Sequence, residues 1–156
     1  MCSNFSHEMY KFTEKVGEIL PLDAHKIIKH RYQIATELSK KKVALEVGVG
    51  QGYGLHSIAK NASKYVGLEY SIENINKLNQ DQSGFRIIHG NAHDMPFNDS
   101  EFEIINALAM IYYLDIDRFL KEASRVLCFN GTLFFCTSNK CVNGFVKALA
   151  ITPFLN

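Results

Sequence analysis

The 156-residue chain has no excess of either charge: 17 Lys and Arg stand against 16 Asp and Glu, a formal net charge of +1. That excludes the broad basic footprint with which proteins hold nucleic acid, so no nucleic-acid partner is expected. The one local basic run, Lys40–Lys42, reads as the end of a solvated helix, where cations suit the dipole. No stretch approaches the roughly 20 apolar residues of a membrane span. Residues Phe145–Leu155 are apolar but short, and Pro153 interrupts them. The first residues carry Glu8, Glu14 and Glu18 and no long apolar core, which does not read as a secretory leader. The four cysteines, Cys2, Cys128, Cys136 and Cys141, have no histidine in zinc-binding spacing, so no metal is expected. They read as reduced thiols of a cytoplasmic chain. Internal repeats and low-complexity tracts are also missing.

What is present is an ordinary globular composition, 47% hydrophobic and 21% charged, long enough for one domain with a core. The most telling stretch runs from Val43 to Glu69, VALEVGVGQGYGLHSIAKNASKYVGLE. Val43–Val47 reads as a short buried strand, Gly48, Gly50 and Gly52 as a turn, and Leu55–Lys60 as helix. A strand feeding a glycine turn and then a helix lets a nucleotide-like ligand sit on the strand ends. Glu69 closes the next strand, 21 residues after Gly48, where a carboxylate can accept from both hydroxyls of a ribose. The spacing is not the G-x-G-x-x-G of dinucleotide sites, because Tyr53 and Leu55 occupy the positions of the third glycine in the two possible registers. A nicotinamide-dependent oxidoreductase is therefore disfavoured. Glu46, two residues before the first glycine, would repel a pyrophosphate and suits a cationic ligand.

Along the rest of the chain, apolar runs near 43–47, 65–69, 85–89, 102–108 and 132–137 alternate with helical patterns near 53–61, 72–80 and 115–127. Short apolar strands separated by helices mean parallel βαβ units with right-handed crossovers. Residues 1–40 read as N-terminal helices packing on the core, the second from about Asp23 to about Leu38. Residues 41–156 form the ligand-binding domain.

The pattern E-x-G-x-G-x-G at Glu46–Gly52 resembles the first motif of class I S-adenosylmethionine-dependent methyltransferases, of the type 11, ubiquinone-methylase-like kind. The resemblance continues in YVGLEYS (Tyr65–Ser71), GNAHDMPF (Gly90–Phe97), FEIINALAMIYYL (Phe102–Leu114) and DRFLKEASRVLCFNGTLFFCTSN (Asp117–Asn139), in the family's order. It implies an α/β, Rossmann-like doubly wound sheet of strand order 3-2-1-4-5, with the ligand at the switch point between strands one and four. It implies S-adenosylmethionine as cofactor, cytoplasmic methyl transfer to a small-molecule or glycan acceptor, and cofactor contacts at Glu46, Gly48, Gly50, Gly52, Glu69, Tyr70, Asn91, Ala92 and Leu108. In that reading Glu46 orients the turn through its backbone groups and faces the cofactor's ammonium. Glu69 holds the ribose, Asn91 and Ala92 meet adenine, and Leu108 lies near the methionine part.

The departures are specific. Asn91 stands where the family has Asp, although an amide oxygen still accepts the adenine hydrogen bond. Ala109 and Tyr112–Tyr113 stand where many relatives have Glu and His. The family continues past strand five with a helix and two strands, one antiparallel, and Lys140–Asn156 is too short for all three. The expectation is a sheet lacking the last two strands, with Phe145–Ile151 as a helix stopped before Pro153. That would leave TLFFC (Thr132–Cys136) as an exposed apolar edge open to a homodimer. The short end leaves two readings: an active short methyltransferase, or a non-catalytic cofactor- or partner-binding remnant.

Methyl transfer is an in-line displacement with an activated leaving group, so positioning does much of the catalysis, and a base is needed only if the acceptor must lose a proton. His93, Asp94, Tyr112 and Tyr113 are the base candidates. His25, His30 and Arg31 on the second helix could also reach the cleft. A tyrosine after strand four shapes a pocket more readily than it removes a proton, because a phenol is a weak acid. No catalytic base is assigned.

Overall fold

A computed structural model describes residues 22–81, 85–138 and 146–151. The elements are α1 (Leu22–Leu38), β1 (Val43–Val47), α2 (Leu55–Asn61), β2 (Lys64–Glu69), α3 (Ile72–Asp81) and β3 (Arg86–His89). They continue with β4 (Phe102–Leu108), a 3-10 turn (Ile111–Tyr113), α4 (Ile116–Val126), β5 (Leu127–Ser138) and β6 (Val146–Ile151). One sheet of order β3-β2-β1-β4-β5-β6 holds them together. The first five strands are parallel, as the crossover helices require.

The central strands are apolar almost throughout because both of their faces are covered. Leu45 and Val47 of β1 pack with Val66, Leu68, Ile105 and Leu133 against Phe119, Ala123 and Val126 of α4. Ala44 of β1 packs on the other face with Ala35 of α1, Leu55 and Ile58 of α2, and Leu78 of α3. Glu46 shares that second face by strand alternation and is 1% exposed. Asp115 caps α4 by accepting from the Arg118 N–H, at 3.2 Å.

Two expectations about the end of the sheet are overturned. Residues 146–151 are not helical. They form β6, antiparallel to β5 in the register Leu133↔Ile151 to Ser138↔Val146. The sheet therefore lacks fewer strands than expected, and the β5 edge is paired, which removes the edge through which a homodimer was expected. The physical reason is that β5 has unpaired N–H and C=O groups along its outer side, and a nearby apolar hexapeptide satisfies them. Strand five is also longer than expected, since a bulge between Phe102 and Ile104 of β4 lets Leu127–Gly131 join it. The helical expectation for residues 1–20 lies outside the described residues.

The segment between β3 and β4, mostly loop as expected, is tied to α4 by several hydrogen bonds, most of them from one side chain. Arg125 of α4 donates to the carbonyls of Met95 (3.0 Å) and Phe97 (2.8 Å), to Asp99 Oδ1 (2.8 Å) and to both oxygens of Glu122 (2.8 Å each). Glu122 also accepts from the Met95 N–H at 2.7 Å. The hydrogen bonds from Arg125 hold the Glu122 carboxyl down at about 2. A depressed carboxyl contributes stability above its ordinary range and loses it as pH falls through about 2. Arg125→Met is expected to cost about 2–3 kcal/mol at pH 7 in urea unfolding, and less below pH 3, where Glu122 approaches protonation in the native chain. An equal loss at both pH values would count against this pairing.

Candidate functional site

The site lies at the C-terminal ends of β1, β2 and β4, where the sheet's connections diverge to either side. After Val47 the backbone enters the left-handed region at Gly48, Gly50 and Gly52, with φ of +75°, +59° and +79°. The three glycines are not equivalent. A Cβ on Gly52 would lie 2.5 Å from Leu78 Cδ2 and 2.7 Å from Leu55 Cδ1, so this glycine lets the turn press onto α2 and α3. A Cβ on Gly50 would meet only the Gly48 carbonyl oxygen, at 4.0 Å. It therefore points into open space above the turn. Gly48 lies against Met110, which the left-handed residue Ala109 (φ +57°) turns back over the loop just past β4.

Glu69 ends β2 and is 7% exposed. One of its oxygens accepts from the Gly50 N–H at 2.7 Å, and the other accepts from the Ser71 N–H at 2.8 Å. The Asn74 side-chain amide also donates to that second oxygen, at 3.5 Å. A carboxylate has about four acceptor positions, so capacity for one more donor remains. From the sequence, Glu46 is the residue expected to hold the turn's backbone. The structure gives that role to Glu69.

Glu46 instead sits under the turn. Its Oε2 accepts from the Tyr65 hydroxyl at 2.6 Å, while Oε1 is buried with no hydrogen-bond partner. Gly67, the β2 register partner of Glu46, leaves room for the Val49 side chain, whose Cγ2 would lie 2.6 Å from a Cβ there, with the Tyr65 hydroxyl at 3.4 Å. Burial drives the Glu46 carboxyl up to about 7, against the pull of Tyr65, Tyr32 and Arg31. Burial beside Glu46 also pushes the Tyr32 and Tyr65 phenols well up.

The other residues singled out from sequence fall around the turn. Tyr70 is 72% exposed beyond the end of β2, and its carbonyl accepts from His89 Nε2 at 3.0 Å. Asn91 is exposed, and its side-chain oxygen accepts from the His93 N–H at 2.9 Å. Ala92 is buried in the core with Met95 and Phe97. Leu108 is buried at the top of β4. His93 is no base in this arrangement, because its Nε2 lone pair accepts from the Asp115 N–H at 3.0 Å and latches this segment to α4. Tyr112 and Tyr113 form the 3-10 turn after β4. His30 is exposed on α1, and nothing is described for the His25 side chain.

Sequence reasoning missed Tyr32 and Tyr65 as partners of the buried acid. Tyr65 is two residues from Gly67 on the same face of β2, which is a readable signal. Tyr32 packs over Gly54 from α1 and stacks on Tyr53 at 6.4 Å, and no pattern in the sequence announces it. A cavity of about 750 Å³ between α1 and α2 is lined by Tyr32, Tyr53, Ile28 and Thr36, and by no glycine of the turn.

This donor and acceptor set fits a cationic ribonucleoside: free carboxylate capacity at Glu69, an unsatisfied carboxylate oxygen at Glu46, and open space over Gly50. The family model described as "Methyltransferase domain" matches residues 45–135. This chain belongs to the class I S-adenosylmethionine-dependent methyltransferase family. The chain is 27% identical over 124 residues to a Mycolicibacterium smegmatis protein named "Probable S-adenosylmethionine-dependent methyltransferase", covering 79% of this chain and 48% of the relative. It is 32% identical over 140 residues to the phthiotriol/phenolphthiotriol dimycocerosates methyltransferase of Mycobacterium tuberculosis, covering 85% of this chain and 52% of that one. Its fold is similar to that of the YcgJ protein from Bacillus subtilis, with a TM-score of 0.63 at 19% identity, over 69% of this chain and 50% of that chain. The chain thus spans about half the length of the curated relatives it matches. Among the described residues, no helix is long and apolar enough to cross a membrane.

Proposed function

We propose that this chain binds S-adenosylmethionine over the ends of β1, β2 and β4 and transfers its methyl group to a small-molecule or glycan acceptor in the cytoplasm. Residues 41–156 are the binding domain in this reading, and residues 1–40 a helical segment packed on it. The observation that carries the proposal is the Gly50–Glu69 pair. One carboxylate fixes the turn, keeps acceptor capacity for a ribose hydroxyl, and lies beside the glycine that faces open space. The dimycocerosates methyltransferase named above supports a small-molecule acceptor.

The bound group supplies a methyl on a positively charged sulfur, which needs no further activation. The residues here hold and orient. Glu69 takes the ribose, Glu46 offers negative charge to the cationic methionine half, Gly48 and Gly50 let the backbone come close, and Gly52 seats the turn on α2 and α3. Asn91 and Ala92 border adenine, with Tyr70 at the outer rim and Leu108 beneath the methionine half. Tyr112 and Tyr113, just past β4, shape the acceptor's approach.

Calorimetric titration of the folded chain with S-adenosylmethionine and S-adenosylhomocysteine tests this directly, with micromolar binding of both expected. Glu69→Ala should weaken both by about 10- to 100-fold, since hydrogen bonds to a charged group are each worth about 1.5–3 kcal/mol. Unchanged affinity in a folded Glu69→Ala variant would refute the ribose role. Binding without transfer to any acceptor would favour the non-catalytic remnant.

A further inference from the structure

Glu46 Oε1 and Asn106 Oδ1 are both buried without a hydrogen-bond partner among the described residues. Glu46 of β1 and Asn106 of β4 are register partners. Strand alternation puts both side chains on the face that α1 covers, with Ile104 and Leu108 of β4. The adjoining positions of that layer bring them no side-chain donor. They are Gly67 of β2, which has no side chain, and Phe134 of β5, which is apolar. The Asn106 amide is committed on its other side, where Nδ2 donates to Ser39 Oγ at 2.9 Å. Ser39 is fully buried just past α1, and its N–H donates to the Ala35 carbonyl at 3.0 Å.

Two buried acceptors with no donor between them each carry a desolvation cost. One proton removes it for both. When Glu46 is neutral, an O–H on Oε1 donates to Asn106 Oδ1. When Glu46 gives that proton to solvent, the same amide can answer by a half-turn about its terminal torsion, which is broad and roughly two-fold. Nδ2 then donates to Glu46 Oε1. Oδ1 accepts from the Ser39 hydroxyl, a group that both donates and accepts.

We propose that Asn106 is the positioning residue of Glu46: its amide turns over as the carboxyl gains or loses a proton, and it passes that state to Ser39 at the end of α1. The charged and titratable groups around the carboxyl are Arg31 and Tyr32 from α1 and Tyr65 and Glu69 from β2, with the Cys136 thiol of β5 beside Arg31. Burial pushes Tyr32, Tyr65 and Cys136 up, so they keep their protons while Glu46 changes state. The turnover belongs to the empty chain. Its extension to the bound state rests on the cofactor reading above, because a cationic ligand over the turn favours the carboxylate and with it the turned amide.

NMR of the full chain without ligand, from about pH 5 to 9, tests this. The Glu46 carboxyl carbon and the Asn106 side-chain amide should titrate with one shared midpoint. Asn106→Val and Asn106→Thr introduce side chains of the same shape, of which only threonine donates and accepts. Asn106→Val should raise the Glu46 midpoint by about one unit, because the carboxylate loses a charge-assisted bond and the neutral acid only an ordinary one. Asn106→Thr should hold the midpoint closer to the native value. An Asn106 amide that does not respond while Glu46 titrates overturns the proposal, and that readout needs no variant to fold. Equal Glu46 midpoints in the two variants overturn it too, since Asn106 would then only fill space. A Glu46 carboxyl that keeps one state across the range overturns it as well. Calorimetry of the native chain with S-adenosylhomocysteine decides the cofactor reading separately, and a lack of binding there leaves these midpoints to judge the proposal.

Discussion

Gly50→Val should abolish cofactor binding while leaving most of the fold in place, and Gly52→Ala should do nearly the reverse. The two glycines share a left-handed backbone, so any side chain at either position carries about 1–2 kcal/mol of strain. They differ in what a side chain would meet. At Gly52 the first atoms are the Leu78 and Leu55 methyl groups, at 2.5 and 2.7 Å, in the packed core between the turn and its flanking helices. Overpacking there adds about 1–3 kcal/mol, for a total of about 2–5 kcal/mol lost from folding. At Gly50 a side chain meets no core atom within 4 Å other than the Gly48 carbonyl oxygen, so the added volume goes into the space proposed for the ligand. The expected loss of affinity exceeds about 100-fold, the equivalent of about 3 kcal/mol. Urea unfolding and calorimetric titration on both variants separate the effects. If Gly50→Val binds S-adenosylhomocysteine like the native chain, the ligand does not lie over this turn.

The contrast between these glycines shows where the sequence is legible. The turn itself and β1 follow from an apolar run bounded by Lys42 and Gly48, because a strand buried on both faces leaves that trace, and β4 falls at its expected limits of 102–108. The spacing that puts Glu69 beside the turn is equally local. What Glu69 does there is not, since its bond to the Gly50 N–H depends on how two strand ends meet. The burial of Glu46 is illegible for the same reason: its neighbours Tyr65, Tyr32 and Arg31 arrive from β2 and α1. The segment VKALAI could not be read as β6 because a six-residue apolar run fits either period. The unsatisfied side of β5 decided the matter, and that is a property of the sheet.

The buried acid gives the prediction with the clearest sign. Glu46 is raised from 4.5 to about 7, with burial the largest cause. Around it stand Tyr32 and Arg31 from α1 and Tyr65 and Glu69 from β2. The folded chain therefore holds a proton that the unfolded chain gives up at lower pH. That contribution to stability is complete below about 4.5 and is lost as pH rises through about 7. At about 1.4 kcal/mol per pKa unit, native stability should fall by on the order of 3 kcal/mol across this window. A Glu46→Gln variant, which has no proton to lose there, should not show the fall. Cofactor binding should run the opposite way. An ammonium placed against Oε1 favours the ionised carboxylate, so affinity should rise from pH 5.5 to 7.5. Binding near pH 6 should release a proton, visible as a binding enthalpy that changes with the ionisation enthalpy of the buffer. The same group thus makes the empty protein more stable in acid and the binding stronger in base. Glu46→Gln should flatten both profiles and weaken binding at pH 7.5 by about 10-fold or more, the value of one charge-assisted hydrogen bond. Identical pH profiles for Glu46→Gln and the native chain, in both stability and affinity, would show that Glu46 does not titrate in this range and does not face the ligand's cation.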